Sequence, residues 1–449
     1  MTTADASDAT GFTAKGLATR ERILRSAADV LLADGVSGFN LEKVRRAASV
    51  SGSQVDHYFA DRQDLIRAVI ARQVEKVLEF HRQPQVGGLD TFDDWERWAD
   101  LNMRYLRKIG YRGTATYHAL AGQLAKSDET TRQTFDAGYW RWVNLLEDSF
   151  ARMKNRGLLV PAAQPRQLAL VVVGLHQGAG ILAFTYRQEW PLADVTRFVV
   201  NYVRQFAKDP AERSIRRPRR TRSRRVRSVP INAQPAFTPK GIATRARIIE
   251  GAAELILERG INGTSLEDVR RAVGVSGSQL SHYFAGKRDL TRQVISARTD
   301  FVIDFHRQPV LGQLDNMQSL RAWADLCWTQ AGENYLRNGC VYGSLTGELL
   351  EADDEVLDDL AAGYDRWLAL FEDGLSAMRQ RGELTSEADP RHLATALVSA
   401  HQGGTLLTHI TGSAEPFRAA VDAALDYVGH FTPMLATRRS KTAHRANKR

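Results

Sequence analysis

The chain repeats itself at a fixed spacing of 225 residues. Phe12-Thr-Ala-Lys-Gly-Leu-Ala-Thr-Arg20 returns as Phe237-Thr-Pro-Lys-Gly-Ile-Ala-Thr-Arg245, and Phe80-His-Arg-Gln-Pro84 returns as Phe305-His-Arg-Gln-Pro309. The alignment runs from Phe12 to Phe206 without a gap. Two copies of one unit of about 195 residues therefore lie in tandem, and whatever fold one copy adopts, the other is expected to adopt as well.

The net charge of +9 is concentrated outside the two copies. The segment 207–236 between them carries nine arginines and one lysine against two acidic residues, and the tail 437–449 carries six basic residues. Two basic extensions favour a polyanionic partner. The linker has two open interpretations: a solvated hinge spanning on the order of 30 Å, or a basic segment that follows DNA phosphates between two binding sites.

Several classes of protein are disfavoured. Two cysteines do not make a disulfide scaffold and fit a reducing cytosol, and residues 1–11 lack the pattern of a signal peptide. There is no phosphate loop, metal-spaced Cys/His motif or nucleophile elbow, so we expect no enzyme, no cofactor and no metal. The uncharged stretch 167–186 contains His176, Gln177 and three glycines. It is interpreted as a helix buried between helices and not as a membrane span.

Apolar residues recur at helical spacing throughout, which predicts an all-α fold. Ile23, Ala27 and Leu31 line one face of a first helix that is expected to end at Gly35, and its counterpart in copy 2 is expected to end at Gly260. A short helix over 41–48, a second short helix to about residue 58 and a longer one over 62–81 follow. Longer helices, each with one broad apolar face, fill the rest of each copy.

The first helices of each copy form the pattern of a helix-turn-helix, whose second helix enters the major groove of DNA. Ser49 and Gly274 stand at the turn position, and the expected apolar anchors beneath the motif are Val44, Val50 and Val55 with their counterparts Val269, Val275 and Leu280. Between 39–65 and 264–290, 17 of 27 positions are identical. The sequence therefore predicts two nearly identical recognition helices.

These segments resemble the DNA-binding region of TetR-family transcriptional repressors. The resemblance is carried by Leu41-Glu-Lys-Val44, Ser49-Val-Ser-Gly-Ser-Gln-Val-Asp-His-Tyr-Phe59 and Asp64-Leu65, and more closely by Val269, Gly274-Val-Ser-Gly-Ser-Gln-Leu-Ser-His-Tyr-Phe284 and Lys287-Arg-Asp-Leu290. Gly339-Cys-Val-Tyr-Gly-Ser-Leu345, Glu348, Gly382, Pro390 and Gln402-Gly403 resemble, more weakly, the family's ligand-binding and dimerisation domain. The resemblance implies a regulator that binds double-stranded DNA at an inverted repeat and responds to a small molecule.

The resemblance assigns roles to individual residues. Ser53, Gln54, His57, Tyr58, Ser278, Gln279, His282 and Tyr283 are expected to face the groove. Gln54 and Gln279 are the best candidates to read bases, because a carboxamide pairs bidentately with adenine. Tyr58, Tyr283, Arg62, Lys287, Ser51 and Ser276 are expected to hold phosphates. The alternative is that these are ordinary solvated helix residues, with His57 packed at an edge.

Two positions depart from the family's pattern. Arg45 and Arg270 occupy a position that usually holds a small residue, so either their stems reach towards phosphate or the helix crossing is altered. Asp56 and Ser281 replace the tyrosine that is common on the recognition helix. Since Asp56 would repel DNA phosphates, copy 1 is expected to bind DNA more weakly than copy 2 or with different preferences.

The second half of each copy is implied to hold a regulatory pocket for a small apolar ligand. The candidate lining residues are Trp98, Tyr117, His118, Trp140 and His176 in copy 1, and Trp323, Tyr342, Trp367 and His401 in copy 2. Core packing is the alternative for each of them. Because the copies differ most in this half, one further interpretation is that a single copy responds to ligand.

The copies are expected to associate within one chain as a pseudo-dimer, with segments 167–186 and 192–206 against 393–411 and 417–431. Near-identical half-sites, with centres about one helical turn of DNA or a multiple of it apart, would follow. The expected organisation is a disordered segment 1–11, a helix-turn-helix domain 12–65, a regulatory domain 66–206, the linker 207–236, a second helix-turn-helix domain 237–290, a second regulatory domain 291–436 and the tail 437–449. A duplicated helical scaffold or ligand-binding protein without operator binding is the alternative function.

Overall fold

The computed structural model describes residues 12–112, 116–126, 128–215, 237–261, 263–350 and 352–433. Over these residues the chain folds into helices, and the β-structure consists of an isolated bridge between Leu159 and Ala207. The predicted all-α class is therefore confirmed. The predicted segments 1–11 and 437–449, together with residues 216–236 of the linker, lie outside the described residues.

Each copy contributes nine α-helices to the described part of the chain. Those of copy 1 are α1 (Ala14–Gly38), α2 (Leu41–Ala48), α3 (Gly52–Tyr58), α4 (Arg62–Arg82), α5 (Phe92–Lys108), α6 (Tyr117–Leu124), α7 (Glu129–Asn155), α8 (Pro165–Tyr186) and α9 (Trp190–Gln205). Those of copy 2 are α10 (Pro239–Arg259), α11 (Leu266–Val273), α12 (Gly277–Tyr283), α13 (Lys287–His306), α14 (Met317–Asn338), α15 (Val341–Glu348), α16 (Asp354–Gln380), α17 (Pro390–Thr411) and α18 (Glu415–Gly429). Eight of the nine helices of copy 2 begin 225 residues after their counterparts, and α15 begins one residue earlier than that offset.

The first helix of each copy ends differently. Gly260 caps α10 with a φ of 75°, as predicted, but the predicted end of α1 at Gly35 is wrong, because α1 continues to Gly38. Lys43 explains the difference: its Nζ donates to the carbonyl of Gly38 at 3.0 Å and pairs with Asp34 at 2.9 Å, which stabilises an additional turn. Copy 2 has Asp268 at the position of Lys43, and a carboxylate cannot cap a helix carbonyl.

The apolar anchors of the two helix-turn-helix motifs are buried as predicted. Val44 and Val55 expose 0% and 2% of their surfaces, and their counterparts Val269 and Leu280 expose 1% and 6%. Because these side chains fill the space under α2–α3 and α11–α12, the polar residues of the two short helices point away from the core.

The two copies meet where α8 crosses α17 and α6 crosses α15. Gly178 lies against Gly403, and a Cβ atom added to either residue would collide with the backbone of the other helix. Gly122 and Gly347 meet in the same way, since a Cβ added to one would lie 2.8 Å from the Cα of the other. Each glycine thus touches its own counterpart 225 residues away, which is the signature of a two-fold interface.

Polar contacts surround this glycine seam. Tyr186 donates its hydroxyl hydrogen to Asp365 at 2.8 Å, Asn201 donates to the hydroxyl of Tyr427 at 3.1 Å, and Arg166 pairs with Glu415 at 3.1 Å. Among the described residues, α8 is the one helix long and apolar enough to cross a bilayer, and its apolar stretch is wholly buried inside the protein. Burial between helices accounts for its composition.

Replacing Gly403 with alanine is expected to destabilise the chain by about 3 kcal/mol, because the new methyl group would force two helix backbones apart. The measurement is urea unfolding of the full-length protein, followed by circular dichroism. Gly277→Ala is the matched control, since a Cβ there meets no atom within 4 Å. Equal stability of Gly403→Ala and the parent protein would contradict the close approach of α8 and α17.

Candidate nucleic-acid interface

The turn between the two short helices is built the same way in both copies. Ser49 adopts a left-handed conformation with a φ of 52°, and Gly274 does so with a φ of 65°. Glycine takes this conformation without strain, whereas serine does so at some cost. Both turns lead into a serine that caps the next helix, so the two recognition helices begin with the same geometry.

Each recognition helix begins with a capping box that uses the predicted base-reading glutamine. The Ser51 hydroxyl accepts a hydrogen bond from the backbone of Gln54 at 3.2 Å, and the Gln54 side-chain oxygen accepts one from the Ser51 backbone at 2.9 Å. Ser276 and Gln279 repeat these bonds at 3.1 and 2.9 Å. The glutamine oxygens therefore stabilise the helix start in the free protein, and base reading requires each to be shared or released.

The outer face of α3 and α12 is polar and exposed. Ser53, Gln54, Asp56 and His57 are exposed on α3, and Ser278, Gln279, Ser281 and His282 are exposed on α12. The Ser53 hydroxyl lies 2.9 Å from that of Ser51, and the Ser278 hydroxyl lies 2.9 Å from that of Ser276. Both helices thus present the predicted groove-facing serine, glutamine and histidine to solvent, whereas Tyr58 and Tyr283 are half-buried.

The histidine and tyrosine at the end of each recognition helix pack against the start of the preceding long helix. In copy 1 the Phe12 ring lies 5.7 Å from His57 and 5.2 Å from Tyr58. In copy 2 the Phe237 ring lies 5.8 Å from His282 and 5.2 Å from Tyr283. Tyr58 and Tyr283 are half-buried as a result, and their hydroxyls lie beside Gly16 of α1 and Gly241 of α10, so the rings hold each recognition helix against the first helix of its copy.

Two residues predicted to hold phosphates also bind the backbone of the fold. The Arg62 Nε donates to the Phe39 carbonyl at 3.2 Å, and its guanidinium group lies 5.5 Å from the Phe39 ring. The Lys287 ammonium group donates to the Ile261 carbonyl at 2.7 Å, and burial lowers the pKa of Lys287. Different side chains thus tie the start of α4 or α13 to the loop after the first helix, and the phosphate role of both residues stays a prediction.

Arg45 and Arg270 are half-buried and paired within their own helices. The Arg45 Nε donates to Glu42 at 2.8 Å, and the Arg270 Nε donates to Glu267 at 2.7 Å, each as part of a two-pronged contact. Each guanidinium group is thus paired with a carboxylate three residues earlier on its own helix. Hydrogen bonding with Glu42 and Glu267 raises the pKa of both arginines.

Basic residues that sequence reasoning missed lie on the first helix of each copy. Arg20 stacks over the Phe59 ring at 5.3 Å, and Arg245 stacks over Phe284 at 5.5 Å. Lys15 and Lys240 are exposed on the same helices, one turn from the contacts with Tyr58 and Tyr283. The sequence could have indicated these four basic residues, because they lie in the repeated Phe12–Arg20 and Phe237–Arg245 motifs.

A buried histidine organises the regulatory half of each copy. The His81 Nδ1 donates to the Val77 carbonyl at 2.7 Å, and its Nε2 accepts from the indoles of Trp98 and Trp142 at 3.2 and 3.3 Å. Burial lowers the pKa of His81 to about 4, so it is neutral. Sequence reasoning missed this residue, although the repeated Phe-His-Arg-Gln-Pro motif contains it.

Copy 2 repeats the cluster. The His306 Nε2 accepts from Trp323 and Trp367 at 2.9 Å each, and burial lowers the pKa of His306 to about 4. Tyr342 donates to the Leu360 carbonyl at 2.8 Å, as Tyr117 donates to Phe135 at 2.7 Å in copy 1. The buried tryptophans and tyrosines are thus parts of a shared helical core.

The remaining predicted pocket residues are divided between the core, a cavity and the surface. Tyr117 and His176 line a cavity of about 400 Å³ in copy 1, together with His81 and Trp142. Trp140 is half-buried and stacks against Arg166 at 4.8 Å near the seam between the copies. His401 is buried and hydrogen-bonded to the Tyr335 hydroxyl at 3.0 Å. The side chain of His118 lies outside the described part of the structure.

Copy 1 also touches the second DNA-binding domain. The Lys126 ammonium group, just beyond α6, donates to the Leu257 carbonyl of α10 at 2.8 Å. Glu348 at the end of α15 accepts a hydrogen bond from the backbone N–H of Ile261. Burial raises the pKa of Glu348 to about 7 and lowers that of Lys126 to about 8. These two residues connect the centre of the protein to the end of α10.

These features define a class: a helix-turn-helix DNA-binding protein with two recognition helices and a helical regulatory half behind each. Family models match both copies. The model for bacterial regulatory proteins of the tetR family matches 248–294, that for the tetracyclin repressor-like C-terminal domain matches 317–424, and that for the LmrA/YxaF-like transcriptional regulator C-terminal domain matches 93–198. The chain belongs to the TetR family of DNA-binding transcriptional regulators.

Characterised relatives match about the length of one copy. The HTH-type transcriptional repressor DhaR of Mycobacterium sp. (strain GP1) is 24% identical over 182 residues, covering 38% of this chain and 85% of its own length. The transcriptional regulator AcuR of Cereibacter sphaeroides is 22% identical over 191 residues, covering 42% of this chain and 87% of its own. The crystal structure of regulatory protein TetR from Rhodobacter sphaeroides is 21% identical, with a TM-score of 0.38, over 41% of this chain and 98% of that one.

Glu348→Gln is expected to alter how stability depends on pH. The pKa of Glu348 is about 7 in the folded chain, against an ordinary value of 4.5. Between pH 4.5 and pH 7 the folded chain therefore binds a proton that the unfolded chain does not bind, and the free energy of unfolding falls as the pH rises. The variant keeps the hydrogen bond to Ile261 without a charge, so it should gain about 1 kcal/mol over the parent between pH 5 and pH 8.

Urea unfolding of both proteins at half-unit steps of pH measures this difference. Copy 1 has glutamine at the equivalent position, Gln123, so the same fold already contains glutamine there. A stability difference that stays constant from pH 5 to pH 8 would contradict the burial of an ionisable Glu348.

Proposed function

We propose that one chain occupies one inverted-repeat operator in double-stranded DNA, as a cytoplasmic repressor that a small apolar molecule releases. The observation that carries the proposal is the pairing of two equivalent recognition helices by a two-fold seam. Gly178 and Gly403 lie at that seam, and α3 and α12 begin with the same capping box. A two-fold protein matches the symmetry of an inverted repeat.

The role of repressor is supported by the names of relatives. DhaR is named a transcriptional repressor, and AcuR a transcriptional regulator. The exposed side chains of α3 and α12 are nearly the same, which supports nearly identical half-sites. We assign base reading to Gln54 and Gln279, and phosphate contacts to Ser51 and Ser276 at the helix starts, with Lys15 and Lys240 beside them.

Release by ligand is supported by the cavity in copy 1 and by contacts that lead from it. Thr116 and Tyr117 at the start of α6 line the cavity, and Lys126 just beyond the other end of α6 holds α10. If the ligand binds best to a conformation in which the two helix-turn-helix domains are wrongly spaced for the operator, it shifts the population towards that conformation and lowers operator occupancy.

Substitution of the glutamines tests the proposal. Gln54→Ala and Gln279→Ala are each expected to lower the preference for the operator over unrelated DNA by about 1–3 kcal/mol, because each removes one bidentate base contact. The measurement is a salt-titrated mobility shift on an operator found by genome-wide footprinting. Equal losses on operator and unrelated DNA would mean that the glutamines only cap their helices, and absence of any operator preference in the parent protein would favour the scaffold.

Asp56→Ser, which copies Ser281 of the second recognition helix, is expected to strengthen DNA binding on the order of fivefold at low salt. Removing a carboxylate that faces phosphates relieves repulsion on operator and unrelated DNA alike, and the gain should shrink as salt is added. The reciprocal variant, Ser281→Asp, is expected to weaken binding by a similar factor. Unchanged affinity at low salt for both variants would place residues 56 and 281 away from DNA.

A further inference from the structure

The regulatory halves of the two copies differ beside His176 and His401, in a region that the 225-residue repeat makes equivalent. In copy 1 it is the cavity of about 400 Å³, whose wall includes Phe80, Leu106, Phe184 and Leu192. This volume suits a small molecule of ordinary size for protein pockets. Its counterpart in copy 2 is the space beside His401 and Trp367.

Three buried polar groups of the cavity wall already have partners within the protein. His81 accepts from two indoles, Tyr117 donates to the Phe135 carbonyl, and the His176 Nε2 is 2.8 Å from the side-chain oxygen of Asn102. A ligand group placed against these three would compete with hydrogen bonds that are already made. Lys76, Glu79 and Lys108 also line the cavity, but Leu106, Phe184 and Leu192 give it an apolar wall, which favours an uncharged molecule with a large apolar surface.

Aromatic side chains of copy 2 occupy the equivalent space. Phe417 stands at the position of Leu192, and its ring lies 5.8 Å from His401. Tyr335 lies 5.4 Å from Phe417 and hydrogen-bonds to His401 at 3.0 Å. Phe417 and Tyr335 expose 2% and 6% of their surfaces, so these rings are part of a packed core.

The length of one helix explains the difference. Helix α14 runs to Asn338, whereas α5 ends at Lys108, five residues short of the equivalent point. Tyr335 lies on this extra turn. Its counterpart is Gly110, which has a φ of 64° and open space where a Cβ would stand, with no atom within 4 Å. Copy 1 therefore lacks both the turn and the ring that close the space in copy 2.

We propose that each chain binds one uncharged aromatic or alicyclic molecule, in the cavity of copy 1, and that Phe417 and Tyr335 act as a permanent internal occupant of copy 2. The proposal rests on the proposed function for its regulatory meaning. A single ligand per pair of DNA-binding domains distinguishes this chain from a symmetric dimer, which presents two equivalent pockets. The ligand acts on α6, and through Lys126 its effect reaches the DNA-binding domain of copy 2.

The test uses N-phenyl-1-naphthylamine, an uncharged aromatic probe that fluoresces on entering an apolar site. Titration of the full-length protein is expected to give one site per chain. Leu192→Phe, which introduces the residue found in copy 2, should weaken binding at least tenfold. The reciprocal double variant Phe417→Leu/Tyr335→Ala, which removes both rings, should open the second space and raise the number of sites to two.

Two sites or none in the parent protein, or unchanged affinity in Leu192→Phe, would overturn the proposal. The double variant keeps it falsifiable if Leu192→Phe fails to fold, because a folded Phe417→Leu/Tyr335→Ala protein that still binds one probe also contradicts it. Circular dichroism reports folding of both variants. Operator binding without probe is measured separately, so that loss of DNA recognition and loss of the predicted stoichiometry are distinguished.

Discussion

The close approach of two glycines is the constraint on which the rest of the structure depends. Gly178 and Gly403 bring α8 and α17 together backbone against backbone, and Gly122 and Gly347 do the same for α6 and α15. Since each residue meets its own counterpart, the two copies are fixed in a two-fold relation. The recognition helices are attached to this frame through α4 and α13, so their relative placement is set far from the DNA.

The two halves of each copy have diverged to different extents. The helix-turn-helix motifs keep the same capping box, the same aromatic contact with α1 or α10 and nearly the same exposed side chains. The regulatory halves keep the histidine–tryptophan cluster, but α5 is shorter than α14. They also differ at one position beside the buried histidines, where copy 1 has Leu192 and copy 2 has Phe417. A duplicated chain, unlike a homodimer, is free to change one pocket while leaving the DNA-reading surface symmetric.

The fold was largely predictable because the repeat supplied every element twice. The helix-turn-helix, its buried anchors and the length of α4 follow from spacing and capping patterns that act locally. The end of α1 was not predictable, because Lys43 extends it through a contact with Gly38 that only the packed structure creates.

The candidate site was predictable in position but only partly in role. Exposure of Gln54 and Gln279 follows from the helical pattern, whereas their capping bonds depend on side-chain rotamers. Arg62 and Lys287 were assigned to phosphate by the family resemblance, which does not show the backbone carbonyl acceptors that the fold provides for both. His81 and His306 were overlooked because the tryptophans that bind them are distant in sequence.

The most direct test of the central claim is the mass of the protein–operator complex. Native mass spectrometry of the full-length protein, mixed in equal amount with a duplex that carries both half-sites, gives the number of chains per duplex. We expect one chain on each duplex, with no second chain bound when the protein concentration is raised. A complex that forms only with two chains would contradict the claim that a single polypeptide supplies both recognition helices.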